Sequence, residues 1–317
     1  MANFYGSYIG YGASAAGSAG GVYIGGRGLI GGGNYGFLDV IEYTTIASEG
    51  NGINFGDLVT GRYGLSACAG GATASTRGIF MGGETPAYQD LIDYITIATI
   101  GGDAIDFIGN LTVARDYAHG CSNGVRGLNM GGYSSVSPNS YDTIDYVTID
   151  TTGTCLDFGN LDVGRYGTAC CSNGTLGIEA GGYPNDGSND IIQYVTIATT
   201  GDAVDWGDNL LEARYFAVSC SNSTRGLFAG GSAPGNTIQY ITMATTGTPA
   251  VDFGNLTAAR EGMGAYASET RGVMSGGHPH VYSNQIQFVT IASLGDAANF
   301  GDLLTGKGGT LGGCSGD

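Results

Sequence analysis

The stretch IQYVTIATTGDAVDWGDNLLEARY at residues 192–215 recurs in near-copy from about residues 41, 92, 144, 238 and 286. A chain that writes one unit six times is expected to fold into six copies of one supersecondary structure, each burying its apolar face against the next. Aligned on an Arg-Gly dipeptide, the units begin at Arg27, Arg77, Arg126, Leu176, Arg225 and Arg271, 46 to 50 residues apart. Leu176 takes the arginine position in the fourth unit.

Every unit carries the same landmarks. A diglycine comes first: Gly32-Gly33, Gly82-Gly83, Gly131-Gly132, Gly181-Gly182, Gly230-Gly231 and Gly276-Gly277. An aromatic then heads a β-branched run, at Tyr43, Tyr94, Tyr146, Tyr194, Tyr240 and Phe288. A second aromatic stands twelve or thirteen residues later, at Phe55, Phe107, Phe158, Trp206, Phe253 and Phe300. A basic residue closes the segment: Arg62, Arg115, Arg165, Arg214, Arg260 and Lys307.

The unit reads as four short strands: A (AVSCSN), B (RGLFAGG), C (IQYVTIA) and D (AVDWGDNL). Strand C places Ile192 and Tyr194 on one face and Val195 and Ile197 on the other, because successive residues alternate sides. A sheet apolar on both faces needs cover on both, which sheets stacked around an axis provide. No segment keeps a helical apolar period. The 61 glycines among 317 residues supply tight turns. The expected fold is therefore all-β, a six-bladed β-propeller of four-stranded antiparallel blades, a period near 50 being its signature. The repeats run near 27–76, 77–125, 126–175, 176–224, 225–270 and 271–317, with strand A facing the axis. Closure has two solutions. Either the C-terminal GGTLGGCSGD completes the first blade, or AGGVYIGG before Arg27 does. Residues 1–26 are read as an N-terminal arm and possible closure strand.

The diglycine, the aromatic opening strand C and the later aromatic together resemble kelch-type propeller repeats. The wording DYVTIATTGDAxDFGNLTxAR…CSNxTRGxFxGG is similar to Gly-rich propeller repeats encoded by bacteriophages. The kelch-like resemblance implies architecture. The phage resemblance implies a virion or tail-associated protein, made in the host cytoplasm, whose partners are other tail proteins. Several copies per particle are expected, together with a host-surface glycan or receptor as ligand. The alternatives are a purely structural virion component, such as a head decoration or tail-assembly protein, and a glycan-degrading enzyme.

Charge narrows the choices. The formal net charge is −17, whereas nucleic-acid binding needs clustered Lys and Arg. No apolar run reaches the roughly 20 residues of a membrane helix. The expectation is no nucleic-acid partner, no membrane insertion and folding in a cytosol. All 11 positive charges occupy two repeat positions, six at the strand D exit and five opening strand B. An acid accompanies each strand D: Asp57, Asp106, Asp157, Asp205, Asp252 and Asp302. These acids are read as structural acceptors for loop N–H groups or for Arg62, Arg115, Arg165, Arg214 and Arg260, since partly buried charge needs a partner. Six carboxylates spread around a ring do not converge as metal ligands must.

No cofactor, metal or catalytic residue is expected. Gly-x-Ser-x-Gly, His-Glu-x-x-His and P-loop patterns are absent, and only His119, His278 and His280 are histidines. Cys121, Cys171 and Cys220 share one repeat position, which makes them poor disulfide partners and suits buried reduced thiols. Variation concentrates between strands B and C, in loops rich in Tyr, Asn, Ser and Asp. The candidate ligand-binding residues there are Tyr35, Tyr88, Tyr133, Tyr141, Asn185, Asn236, His280 and Tyr282, because Tyr gives rigid amphipathic contact and Asn adaptable hydrogen bonds.

Overall fold

The computed structural model describes residues 26–33, 36–71, 76–99, 101–184, 189–232, 235–278 and 281–316. Tyr35, Asn185 and His280 lie outside these residues, as does the expected N-terminal arm except for Gly26. The described residues form strands and turns without helix. Six four-stranded antiparallel sheets stand as the blades of a β-propeller, numbered here one to six by their Arg-Gly strands. The strands A of successive blades touch one another in a closed ring around the axis. Blade two is typical: Ser66–Gly70, Arg77–Met81, Leu91–Thr96 and Ile105–Asn110 pair in that order.

The blade frame and the repeat frame differ by one strand. Ser66–Gly70 precedes Arg77 yet pairs with it, so repeat 27–76 gives strands B, C and D to one blade and strand A to the next. The ring must then close with a strand from the far end. Gly312–Gly316 pairs antiparallel with Arg27–Gly31, Cys314 opposite Leu29, which selects the C-terminal closure. This joins the two ends of the repeat array in one sheet.

The core lies between neighbouring sheets. Leu29, Ile41 and Phe55 of blade one pack against Phe80, Ile95 and Ile97 of blade two, and all are buried. Each such side chain contributes about 1.5–3 kcal/mol when fully buried. Within every blade the strand C aromatic meets the strand D aromatic edge-on, from Tyr43 with Phe55 to Phe288 with Phe300. The strand B arginine stacks on the strand C ring in five blades. Its guanidinium also reaches the next blade: Arg77 Nη1 donates to Ile149 O at 2.8 Å, and Arg271 Nη1 to Ile46 O at 3.1 Å across the closure.

The glycine of each Arg-Gly has a packing cause. A Cβ built on Gly127 would stand 2.6 Å from the Cys68 sulfur of the preceding blade, and one on Gly272 would stand 2.5 Å from Cys220. Cys68, Cys121, Cys171, Cys220 and Cys314 all occupy this slot, and Tyr266 fills the sixth, over Gly28. The cysteines are buried free thiols whose pKa burial pushes up. The small residues of strand A are therefore matched to glycines one blade away.

The strand D exit cations bridge blades, and all are buried except Arg260, which is half-buried. Arg62 Nε donates to Gly82 O at 2.8 Å, Arg115 Nε to Gly131 O at 2.7 Å, Arg165 Nη1 to Gly181 O at 2.9 Å and Arg214 Nη1 to Gly230 O at 3.1 Å. Each acceptor is the first glycine of the next blade's diglycine. The carboxylates that meet Arg62 and Arg115 come from strand C of the next blade rather than from strand D: Asp93 at 2.8 Å and Asp145 at 3.0 Å. Lys307 meets Glu42 at 2.7 Å in the same way. Asp57, Asp106, Asp157, Asp205, Asp252 and Asp302 sit instead on the outer strand, where Asp106 and Asp205 accept the N–H groups of Ile108 and Gly207. Of the two roles expected for the strand D acids, acceptance from loop N–H groups is seen at Asp106 and Asp205, whereas the arginines turn inward and away from them.

Candidate binding face

The loops from strand D to the next strand A gather with the B–C loops at one end of the ring. Tyr63 bridges Glu84, Asp116 bridges Tyr133, and Arg165–Tyr166 pairs with Tyr183–Pro184. Each D–A loop is thus laced to the B–C loop of the following blade.

At the axis the D–A loops close on one another. Tyr117 N donates to Gly64 O, Gly167 N to Tyr117 O, Phe216 N to Gly167 O, Gly262 N to Phe216 O and Thr310 N to Gly262 O, at 2.6 to 3.1 Å. Gly64 N donates back to Gly309 O and Thr310 O and completes the belt. The linked residue of every blade has a left-handed backbone, with φ of 65° at Gly64, 51° at Tyr117, 61° at Gly167, 55° at Phe216, 63° at Gly262 and 54° at Thr310. Glycine enters this conformation freely, whereas a bulky side chain there is strained by about 1–3 kcal/mol. Three blades use glycine, one threonine, and two carry an aromatic ring.

Under the belt lies an axial cavity of about 30 Å³, lined by Ser66, His119, Cys170 and Ser219 among others. At roughly 15 Å³ per water it has room for a water or two and no larger ligand. Burial lowers the pKa of His119 there to about 4, so the imidazole is neutral. The belt encircles the axis at this end of the ring, and the aromatic side chains sit on the face beside it.

That face is asymmetric. Tyr88 meets Tyr133 at 6.0 Å, Tyr133 meets Tyr166 at 5.0 Å, Tyr166 meets Tyr183 at 5.5 Å and Tyr183 meets Tyr215 at 5.6 Å. An inner row runs beside this arc, with Tyr63 6.0 Å from Tyr117 and Tyr117 4.9 Å from Phe216. The rings are half-buried, except Tyr183, which is 49% exposed. Across the axis the corresponding loops read Glu261-Gly262 and Gly308-Gly309.

Acids lie within the aromatic half. Tyr63 Oη donates a short hydrogen bond to Glu84 Oε2. Asp116 is fully buried; no N–H or O–H donor among the described residues reaches its carboxylate oxygens, and its hydrogen-bonding neighbour is the Glu84 carboxyl. Burial first, and the neighbouring Glu84 second, raise its pKa to about 8.

Of the residues expected from sequence, Tyr88 and Tyr133 join the arc. Tyr141 stands in the same loop as Tyr133, its hydroxyl 3.1 Å from Ser134 Oγ. Tyr282 packs edge-on to His278 at 5.7 Å. The backbone carbonyl of Asn236 accepts from Leu256 N at 2.7 Å. Sequence reading did not pick out Tyr63, Glu84, Asp116, Tyr117, Tyr166, Tyr183, Tyr215 or Phe216. A signal for them exists in the chain: the basic residue at the strand D exit is followed by tyrosine in Arg62-Tyr63, Arg165-Tyr166 and Arg214-Tyr215, and one residue later in Arg115-Asp116-Tyr117. No family model matches the chain, and no curated protein matches it.

Proposed function

We propose that the protein is a non-enzymatic binding module whose loop face takes a host-surface glycan or protein, as a tail-associated component of a phage virion. The phage and kelch-like parts of this reading rest on the resemblance of the repeats. The binding part is carried by one observation: Tyr117 and Phe216 keep aromatic rings, against backbone strain, at belt positions where the segments after blades one, three and five use Gly64, Gly167 and Gly262. Thr310 in the belt is strained too, but of the belt residues only Tyr117 and Phe216 carry an aromatic ring there, and an observed outlier of this kind supports a functional reading. Rings 5 to 6 Å apart in an arc present a stacking surface suited to successive sugar units, and phenol hydroxyls at its edge can bond theirs. Single contacts of this kind are weak, so adhesion needs several copies on one particle.

The test uses glycine because the framework accepts it. Tyr117→Gly and Phe216→Gly keep the belt, and the variants are expected to fold with unchanged circular dichroism. Binding to an array of bacterial-surface glycans, or to host cells, is expected to fall at least about tenfold, one ring stack being worth on the order of 1 kcal/mol or more. Binding that survives both substitutions refutes the reading.

A second reading draws on the outer rim. Ile53, Ile105, Leu156, Val204 and Val251 occupy one position on strand D, each at least 41% exposed. A recurring apolar position around the perimeter favours contact with neighbouring virion proteins, the structural alternative. Sedimentation of the Ile105→Asp and Leu156→Asp variants against the parent protein tests it, loss of self-association or of assembly being the expected result.

A further inference from the structure

One end of the aromatic arc lacks the counter-charge that its chemistry asks for. Asp116 is fully buried, no N–H or O–H donor among the described residues reaches either of its oxygens, and the half-buried Glu84 carboxyl stands beside it, close enough to share the Asp116 proton. Its charge helps hold the Tyr63, Tyr88 and Tyr117 phenols above their ordinary pKa, burial being the larger cause in each, which places the carboxyl among these rings. An acid pair in an apolar setting takes up both of its charges only when a cation joins it. The chain sends none: Arg62 and Arg115, which adjoin Tyr63 and Asp116 in sequence, are held by Asp93 and Asp145. A hard metal ion takes six or more oxygen ligands, and no group of three His, Cys, Asp or Glu among the described residues could hold one. Aromatic faces beside carboxylates suit a soft organic cation, which the ring quadrupoles attract.

We propose that Glu84 and Asp116, with the rings of Tyr63, Tyr88, Tyr117 and Tyr133, form a subsite for an ammonium group carried by the ligand. The chemistry is shared by a protonated amino sugar and by a choline substituent. This inference rests on the reading of the face as a glycan-binding surface, and it makes that surface selective at one end. The ammonium meets Glu84 first, since Glu84 is the more open carboxylate, and Asp116, which keeps its proton near neutral pH while the site is empty, releases it to solvent as the cation arrives and then supplies the second charge from beneath. A neutral glycan would stack on the same rings and leave the carboxyl pair unanswered.

The experiment compares a glucosamine tetramer with its fully N-acetylated counterpart by calorimetry on the whole chain, with the sugar amines protonated and with choline as competitor. A preference of roughly tenfold for the amine is expected from one partly desolvated cation–aromatic site. Glu84→Gln and, separately, Asp116→Asn are expected to bring the ratio of the two affinities close to one. Two variants are used because either alone could disturb the loop, and melting curves report on that. Competition by choline identifies a bare ammonium site, while an amine preference without choline competition identifies the amino sugar. Equal binding of both tetramers, or a preference that survives both substitutions, overturns the subsite and leaves the glycan face standing. If the parent protein binds bacterial-surface glycans but neither tetramer nor choline, the subsite is also overturned. Binding to no glycan at all overturns both readings.

Discussion

In blades one to three the strand C residue before the aromatic is Glu42, Asp93 or Asp145, whereas in blades four to six it is Gln193, Gln239 or Gln287. The backbone around it is the same in both halves, so the ring offers an internal comparison of carboxylate with amide. In all six blades this side chain accepts a backbone N–H from the preceding blade. Val59, Thr112 and Leu304 donate to the acids at 3.2, 3.2 and 2.7 Å, and Asp162, Leu211 and Thr257 donate to the glutamines at 3.1, 2.7 and 2.9 Å. The invariant task is acceptance across the blade junction, and negative charge is an addition to it. With the charge absent, the cation turns elsewhere: Arg214 to Glu212 at 2.9 Å, Arg165 to the half-exposed Asp162 at 3.4 Å, and Arg260 to Gln285 Oε1 at 2.6 Å.

The largest effect is expected where that addition is buried on both sides. Arg115 and Asp145 are each fully buried. Asp145→Ala strands the guanidinium and is expected to cost about 3–5 kcal/mol, the range for breaking a buried pair. Gln239→Ala removes only a neutral acceptor, for about 1–3 kcal/mol. Asp162→Ala, which removes an exposed partner, should cost at most about 1 kcal/mol. Denaturant melts of the three variants check the order. Equal losses for Asp145→Ala and Gln239→Ala would erase the distinction between the halves.

These assignments also mark how far the chain could be read unaided. Period, strand count and closure by a terminal strand follow from the spacing of Arg-Gly, diglycine and aromatic residues, because those positions repeat along the chain. Asp93 and Asp145 were harder to see. Each lies beside an aromatic on a strand whose neighbours are apolar, and its partner is an arginine 31 or 30 residues earlier, at Arg62 and Arg115. Only the radial packing of blades makes them neighbours. The binding face was half legible: Tyr88 and Tyr133 stand out in variable loops, but Tyr117 and Phe216 occupy a belt whose existence depends on six loops meeting at the axis. Loop variability drew attention to Asn236, whose backbone carbonyl anchors the strand D end of its own blade at Leu256, and away from the tyrosines that follow the framework arginines.

A middle-sized effect concerns pH and separates the halves by their buried carboxyls. Glu179 on strand B of blade four has its pKa raised to about 7, burial outweighing the lowering by Arg165 and Gln193. Asp116, at the junction of blades two and three, is raised to about 8. A carboxyl whose folded pKa is raised stabilises the fold below its unfolded pKa and loses that contribution as pH rises through the folded value. His119 has the opposite sign: lowered to about 4, it weakens the fold as pH falls below its ordinary 6.5. Between pH 6.5 and 8 the two carboxyls act without it, so the melting temperature should fall across that interval. Glu179→Gln is expected to flatten the lower part of the slope and Asp116→Asn the upper part. The gain at pH 8 is on the order of 1–3 kcal/mol for each. A flat profile in the parent protein would show that neither group is held protonated.

The smallest effect tests why blade four alone lacks the strand B arginine. Leu176 packs on the cluster beside Tyr194, where the other blades stack a guanidinium on the ring. The interblade bond that arginine makes elsewhere is supplied here by Asn173 Nδ2, which donates to Met243 O at 3.3 Å. Leu176→Arg would restore the stack, worth about 0.5–1 kcal/mol at a partly exposed ring. Against that stands the loss of part of a leucine's buried area, at about 25 cal/mol per Å². The junction bond is already made, so the arginine brings no second acceptor of its own. The expected net gain is therefore at most about 0.5 kcal/mol, visible as a small rise in melting temperature. It should grow to roughly 1 kcal/mol when Asn173→Ala frees Met243 O for the new guanidinium, since two groups sharing one acceptor are coupled. Additive behaviour in that double-mutant cycle would mean that the arginine acts in the other five blades through its stack on the ring of its own blade, and that its carbonyl bonds across the junction add little.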